Sequence, residues 1–209
     1  MSRIPTPPTI DAAPPASQPL LENVKKQFGA VPNLFRLVAN SPAALEGYLA
    51  LSGALAKGTL PAPTRERIAL AVAAINGCDY CLAAHTYLGK NLARLDDAEI
   101  AANRAGTSHD AKAHAAVRFA SEQRLPVVAA NCVLCHAVPD AAVRFAVKVA
   151  QARGHVGDDD VNAVKAAGYD DAQVIEIVLH VALNTWTNYV NEVAKTDIDF
   201  PVAALRKAS

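Results

Sequence analysis

Glu66-Arg-Ile-Ala-Leu-Ala-Val-Ala-Ala-Ile-Asn-Gly-Cys-Asp-Tyr-Cys-Leu-Ala-Ala-His85 is the stretch on which the reading of this chain turns. The apolar run Ile68 to Ile75 has no breaker and reads as a helix, and Asn76-Gly77 ends it. A second helix is expected to begin at Cys78 and run through Leu88. Cys78 and Cys81 then lie in its first turn, where unpaired backbone N–H groups and the helix dipole favour an anion. Such a position lowers a thiol pKa, and the thiolate is the reactive form. Cys78, Cys81 and His85 share one face of the helix, with His85 one turn beyond Cys81. Glu66 belongs to the preceding helix and reaches the same place only if the two helices pack side by side. The pattern Glu-x11-Cys-x2-Cys-x3-His points to a thiol active site.

Outward from that stretch, helix signals recur along the chain. Residues 20–39 read as one helix. Residues 41–57 read as another, opened by Ser41 as N-cap and Pro42 in the first turn. Thr64–Ile75 precedes the cysteine helix. Asp96–Ala105 is closed by Gly106, and Asp158–Ala167 by Gly168. A long final helix runs from near Asp170 to about Lys195. No window alternates with period two, so no strand is predicted. Residues 1–19, with prolines at 5, 7, 8, 14, 15 and 19, read as an extended or disordered arm. The helical domain is assigned to 20–201 and a tail to 202–209. The fold class is therefore all-α, a single helical domain with an extended Pro-rich arm.

Composition agrees. Apolar residues make up 52% of the chain and aromatics only 5%, a mix that favours closely packed helices. Twenty basic and twenty acidic residues cancel without forming blocks, which recommends neither nucleic acid nor an anionic membrane as a partner. No apolar run approaches the ~20 residues of a membrane span. With no signal-peptide pattern, a cytoplasmic location is expected, where paired cysteines are catalytic or metal-binding more often than structural.

The words Asn76-Gly-Cys-Asp-Tyr-Cys-Leu-Ala-Ala-His85 and Val31-Pro-Asn-Leu-Phe35, with Glu66 at its fixed distance, resemble the alkylhydroperoxidase D group of the carboxymuconolactone decarboxylase-like superfamily, in its peroxidase-related branch. The resemblance implies an all-helical oligomer, a trimer or hexamer, that reduces hydroperoxides. It implies Cys81 as the attacking thiolate and Cys78 as the resolving thiol. Glu66 and His85 would move protons, and an external dithiol, a lipoylated or thioredoxin-like protein, would reset the pair. No cofactor is required. Where alkylhydroperoxidase D can carry a histidine before the second cysteine, this chain has Tyr80, an accessory candidate. Decarboxylase members generally lack the cysteine pair. The alternatives are a general dithiol–disulfide oxidoreductase, a carboxymuconolactone decarboxylase-like enzyme, and a non-enzymatic redox sensor or electron carrier.

The last alternative rests on a second motif. Ala-Ala-Val-Arg-Phe-Ala occurs at 115–120 and again at 141–146, and removing 121–146 would leave one continuous amphipathic helix from Ala111 to Gly154. Residues 121–146 thus read as an insertion flanked by a duplicated end. It carries Cys132-Val-Leu-Cys135-His136, which matches c-type haem attachment. The same cysteines could form a second dithiol, or share a zinc ion with Cys78 and Cys81. Finally, His180, Asn184, Asn188 and Asn191 put a polar stripe on an otherwise apolar helix. A solvated face or a subunit contact is the ordinary reading, and lining of the thiol pocket is the functional one, with His180 and Asn184 as accessory candidates.

Overall fold

The computed structural model describes residues 2–109 and 141–201, and all their regular structure is helical. Helix α1 spans Gln18–Phe28, following a 3-10 turn at Pro15–Ser17, and α2 spans Asn33–Val38. The single helix expected over 20–39 is thus two. Gly29 takes a left-handed φ of 77° and caps α1, and Pro32 supplies no N–H to carry the ladder onward.

Helix α3 spans Pro42–Ala56, and Ser41 Oγ accepts the Ala44 N–H at 3.3 Å as its cap. Then follow α4 (Ala62–Asn76), α5 (Asp79–Asn91), α6 (Asp97–Arg104), α7 (Ala141–Gln151), α8 (Asp158–Ala166) and α9 (Asp171–Ala194). Asp96 caps α6, and Asp170 with Gln173 forms a reciprocal capping box on α9.

Helix α4 is the axis of the fold. Residues 67–73 are buried without a break, because α5, α6, α7 and α9 all pack around it. A helix buried on every side has no need of an amphipathic stripe, which explains its run of alanines and aliphatics. One core cluster joins Ile68 and Val72 of α4 to Phe145, Val149, Ile177 and Val181. The second copy of the repeated hexapeptide opens α7, with Ala142, Val143 and Phe145 buried. The first copy, most of the predicted insertion, and Cys132, Cys135 and His136 lie outside the described residues.

Two carboxylates tie the helices together. Glu176 of α9 accepts the backbone N–H groups of Thr59 and Leu60, at 2.9 and 3.0 Å, in the loop before α4. Glu99 of α6 accepts Arg67 Nε of α4 at 2.7 Å, Asn103 Nδ2, the Ser108 hydroxyl and the His109 N–H.

The N-terminal segment does not stand away from the body as a disordered arm. It has no helix before Pro15, but Ala13 is buried in the core beside α1. The carbonyls of Pro5 and Pro8 accept Asn40 Nδ2 and Arg36 Nη1, which hold the segment against α2 of its own chain. Proline prevents regular structure here but leaves these carbonyls free to accept. At the other end, residues 196–201 run back across the start of α5. Asp199 accepts the Asn33 N–H at 2.7 Å and the Tyr80 hydroxyl at 2.9 Å, and that hydroxyl accepts the Leu34 N–H at 3.0 Å. Pro32, the cap residue of α2, offers no side-chain acceptor, so Asp199 and Tyr80 satisfy the helix's first amides instead.

Candidate active site

Gly77 makes the site possible. Its φ of 68° reverses the chain between α4 and α5 within one residue, and the two helices then pack side by side. No atom lies within 4 Å of the place a Cβ would take, so glycine is needed for its conformation and not for space. The reversal brings Glu66 of α4 against His85 of α5, with Oε2 and Nδ1 2.8 Å apart. Each of these side chains is about 20% exposed, so this pair forms the wet edge of the site. Burial by itself would lower the imidazole pKa. The Glu66 carboxylate, as a charge and as a hydrogen-bond partner, and the Cys81 sulfur together raise it above the ordinary value.

The two cysteines sit deeper, at 0% and 2% exposure, and both are free thiols. Cys78 is the N-cap of α5 rather than its first helical residue, and its Sγ accepts the Cys81 N–H at 3.4 Å. Their titrations part in opposite directions. Cys81 falls from an ordinary value near 9 to about 6. The main cause is a hydrogen bond from Cys78. Burial opposes the shift, while the His85 charge and the amides of Asn188 and Asn191 assist it. Cys78 is pushed far up, first by that same hydrogen bond and then by burial and the Cys81 charge. The directions of the two shifts make Cys81 the sulfur that ionises first and Cys78 the one that keeps its proton longer.

Helix α9 closes the pocket from the other side. Asn191 Nδ2 donates to Cys81 Sγ at 3.3 Å, and Asn188 Oδ1 accepts Asn76 Nδ2 at 2.9 Å. The polar stripe of α9 is thus buried within the chain, and its Asn191 reaches Cys81. The accessory roles fall differently from the sequence reading. Asn184 Nδ2 donates to the His180 carbonyl of its own helix. His180 is buried with Nε2 unpartnered; desolvation and the Arg65 charge push its pKa to about 4, so it is neutral at pH 7. Tyr80 uses its hydroxyl on Leu34 and Asp199, which commits it to holding α2 and the C-terminal segment.

Of three further residues at the site, two were named in the sequence only as members of the stripe that could line the thiol pocket, and Tyr48 had no role there. Asn188 and Asn191 were visible as members of a stripe, but spacing could not say which of its members meet sulfur. Tyr48 of α3 packs into the same apolar cluster as the cysteines, with its ring 5.6 Å from Phe35 and 5.3 Å from Trp186. Burial, followed by the negative charges of Cys81 and Glu66, holds its phenol well above the usual range, so it stays protonated. Nothing in its local sequence distinguishes it from a packing tyrosine.

An all-helical body that sets a Cys-x2-Cys helix against a glutamate-bearing helix defines a class of thiol protein. Residues 42–122 match the Carboxymuconolactone decarboxylase family. The fold is similar to a crystal structure described as an alkylhydroperoxidase AhpD core, an uncharacterized peroxidase-related protein from Ralstonia eutropha JMP134. That likeness has a TM-score of 0.70 at 23% identity and covers 95% of this chain and 92% of that one. A peroxidase-related protein from Silicibacter sp. TM1040 gives a TM-score of 0.66 at 22% identity, over 92% and 91% of the two chains. The debrominase Bmp8, solved as a variant in complex with 2,3,4-tribromopyrrole, gives 0.64 at 17% identity, over 96% and 91%. An uncharacterized protein from Haemophilus influenzae (strain ATCC 51907 / DSM 11121 / KW20 / Rd) is 44% identical over 64 residues, which is 30% of this chain and 51% of the relative. The chain therefore spans about half the length of that curated relative. The chain shares the fold of these structures, and its family match is confined to residues 42–122. One fold here carries both peroxidase-related and debrominase names, so the substrate has to be argued from the site. Among the described residues no helix is long and apolar enough to cross a membrane.

Proposed function

We propose that this chain reduces hydroperoxides with Cys81 as nucleophile and Cys78 as resolving thiol. The observation that carries the proposal is the placement of two buried free cysteines at the start of α5, beside the Glu66–His85 pair. Cys78 Sγ accepts the Cys81 N–H and Cys81 Sγ accepts Asn191 Nδ2, and the shifts favour Cys81 as the sulfur that ionises first. Cys81 Sγ attacks the terminal peroxide oxygen. The S–O bond forms, the O–O bond breaks, and the sulfur becomes a sulfenic acid. The departing alkoxide takes a proton from His85, whose protonated form Glu66 favours. Cys78 then attacks Cys81, and water leaves as the Cys78–Cys81 disulfide forms. An external dithiol, a lipoylated or thioredoxin-like protein, returns two electrons and two protons. The cycle uses no metal or prosthetic group. In this reading the protein works in the cytoplasm as a homo-oligomer, a trimer or hexamer.

A general dithiol–disulfide oxidoreductase would use the same two cysteines, and in either cycle an external dithiol must reach sulfurs that are 0% and 2% exposed. A c-haem electron carrier and a zinc site both draw on Cys132 and Cys135, outside the described residues. The test is to add one equivalent of cumene hydroperoxide to fully reduced protein and map disulfides by mass spectrometry. Rapid formation of Cys78–Cys81 is expected, with loss of peroxide consumption in Cys81→Ser. Thiols that stay titratable after peroxide addition, or activity retained in Cys81→Ser, would overturn the proposal.

A further inference from the structure

Asn188 and Asn191 are 0% and 2% exposed, one turn apart on α9, and each has one end of its amide committed. The Asn191 nitrogen donates to Cys81 Sγ, which leaves its Oδ1 buried with no partner. The Asn188 oxygen accepts from Asn76 at 2.9 Å, and its Nδ2 is buried without a partner. Flipping either amide would break the bond it already makes, so the free ends are fixed: one acceptor and one donor beside one thiolate. Leaving such atoms unmatched in a protein interior is costly. A hydroperoxide, R–O–O–H, offers their complement. Its terminal oxygen carries an O–H donor, and its inner oxygen is an acceptor that becomes the alkoxide.

We propose, resting on the hydroperoxide reading, that Asn191 Oδ1 accepts the substrate O–H while Asn188 Nδ2 donates to the inner oxygen, so that the pair aligns the O–O bond on Cys81 Sγ. The Sγ–O bond forms as O–O breaks, and sulfur loses two electrons to the peroxide. The Asn188 donor meets charge as it develops on the leaving oxygen, where a preorganised dipole is most effective. Neutral amides suit the place, because they supply a donor and an acceptor without adding a further charge beside the thiolate. The inference makes these two asparagines site residues that recognise the peroxide group itself, separate from the proton-handling Glu66 and His85.

The experiment compares two electrophiles on one thiolate. For the wild type, Asn188→Ala and Asn191→Ala, with the serine variants as alternates where alanine fails to fold, the Cys81 pKa is read from thiolate absorbance. Cys81 consumption by cumene hydroperoxide and by iodoacetamide is then measured and scaled to the thiolate present. Iodoacetamide carries no O–O–H group and reports sulfur reactivity alone. The expected result is that the ratio of peroxide to iodoacetamide rate constants falls at least about tenfold in each variant. A ratio unchanged from a fast wild type would overturn the inference and leave the peroxidase reading standing. A wild-type ratio no higher than that of a free low-pKa thiol would overturn both.

Discussion

Glu66 and His85, 19 residues apart, meet with Oε2 2.8 Å from Nδ1, and the contact exists only because α4 and α5 fold back on each other at Gly77. The carboxylate fixes which ring nitrogen faces it and favours the protonated form of His85, whose positive charge favours the Cys81 thiolate. Glu66→Gln should therefore lower the His85 pKa and raise that of Cys81. The sign for stability follows. His85 is raised in the folded state, so its contribution is complete below the unfolded imidazole value near 6.5 and fades as pH rises through the folded value. Glu66→Gln is expected to slow peroxide consumption about 10- to 100-fold at neutral pH. NMR titration of the His85 ring should show the downward shift, and an unmoved titration would refute the coupling.

The opposite shifts of the two cysteines predict an order of alkylation. Iodoacetamide should label Cys81 with a midpoint at about pH 6 and leave Cys78 untouched through neutral pH. In Cys78→Ala the hydrogen bond that contributes most to the shift is gone, and the Cys81 midpoint should move up by a pH unit or more, about the effect of one strong hydrogen bond to a charged sulfur. Peptide mapping after timed labelling reads both. Labelling of Cys78 ahead of Cys81 would reverse the assigned roles.

Features written into neighbouring residues were legible in the sequence. Ser41 was readable as the cap of α3, and Asp96 and Asp170 stood at the expected starts of α6 and α9; each accepts a backbone N–H as an N-cap. Cys78, Cys81 and His85 were readable as one face because a helix fixes that register. Glu66 was readable only conditionally, since its approach depends on packing. What escaped depends on contacts distant in sequence. Asn191 meets Cys81 across 110 residues, and Tyr80 meets Asp199 across 119. Tyr80 misled for that reason: it stands between the cysteines in sequence, yet its hydroxyl serves α2 and the C-terminal segment. The break at Gly29 was missed because apolar spacing continues across it, whereas the backbone turns left-handed there.

Glu99 should behave as a stability switch at low pH. It is 7% exposed, and burial would raise its pKa. The Ser108 hydroxyl, the His109 N–H, Asn103 and Arg67 more than offset this and hold the carboxyl below its usual range. A depressed carboxylate contributes stability above the unfolded value near 4.3, and that contribution is lost as pH falls through the folded value. Glu99→Gln keeps the shape but loses the charge beside buried Arg67. It is expected to cost about 1–3 kcal/mol at pH 7 and to lower Tm by several degrees. Below pH 4 the difference from wild type should shrink, which thermal melts at a series of pH values would reveal. A constant difference down to pH 2 would mean that the charge is not the cause.

Asp199 is predicted to set how accessible the thiol site is. Its two oxygens hold the Asn33 amide and the Tyr80 hydroxyl, and the segment they anchor presses Ile198 and Phe200 into the cluster that contains Cys78 and Cys81. Phe200 lies edge-on to Tyr80 with ring centroids 5.8 Å apart. Asp199→Ala removes the acceptor that substitutes for a side-chain cap on α2, at a cost of about 1 kcal/mol. Tyr80→Phe breaks the same bridge from its other end, so the double variant should cost less than the sum of the two. With the segment loosened, local opening becomes easier, and Cys81 should be alkylated several-fold faster at pH 8, where it is fully ionised in every variant. Its pKa should stay near 6, because none of the groups that lower it is touched. A faster reaction with an unchanged pKa would identify the C-terminal segment as the barrier that a protein dithiol must displace. An unchanged rate in a destabilised variant would instead assign Asp199 to the capping of α2 alone.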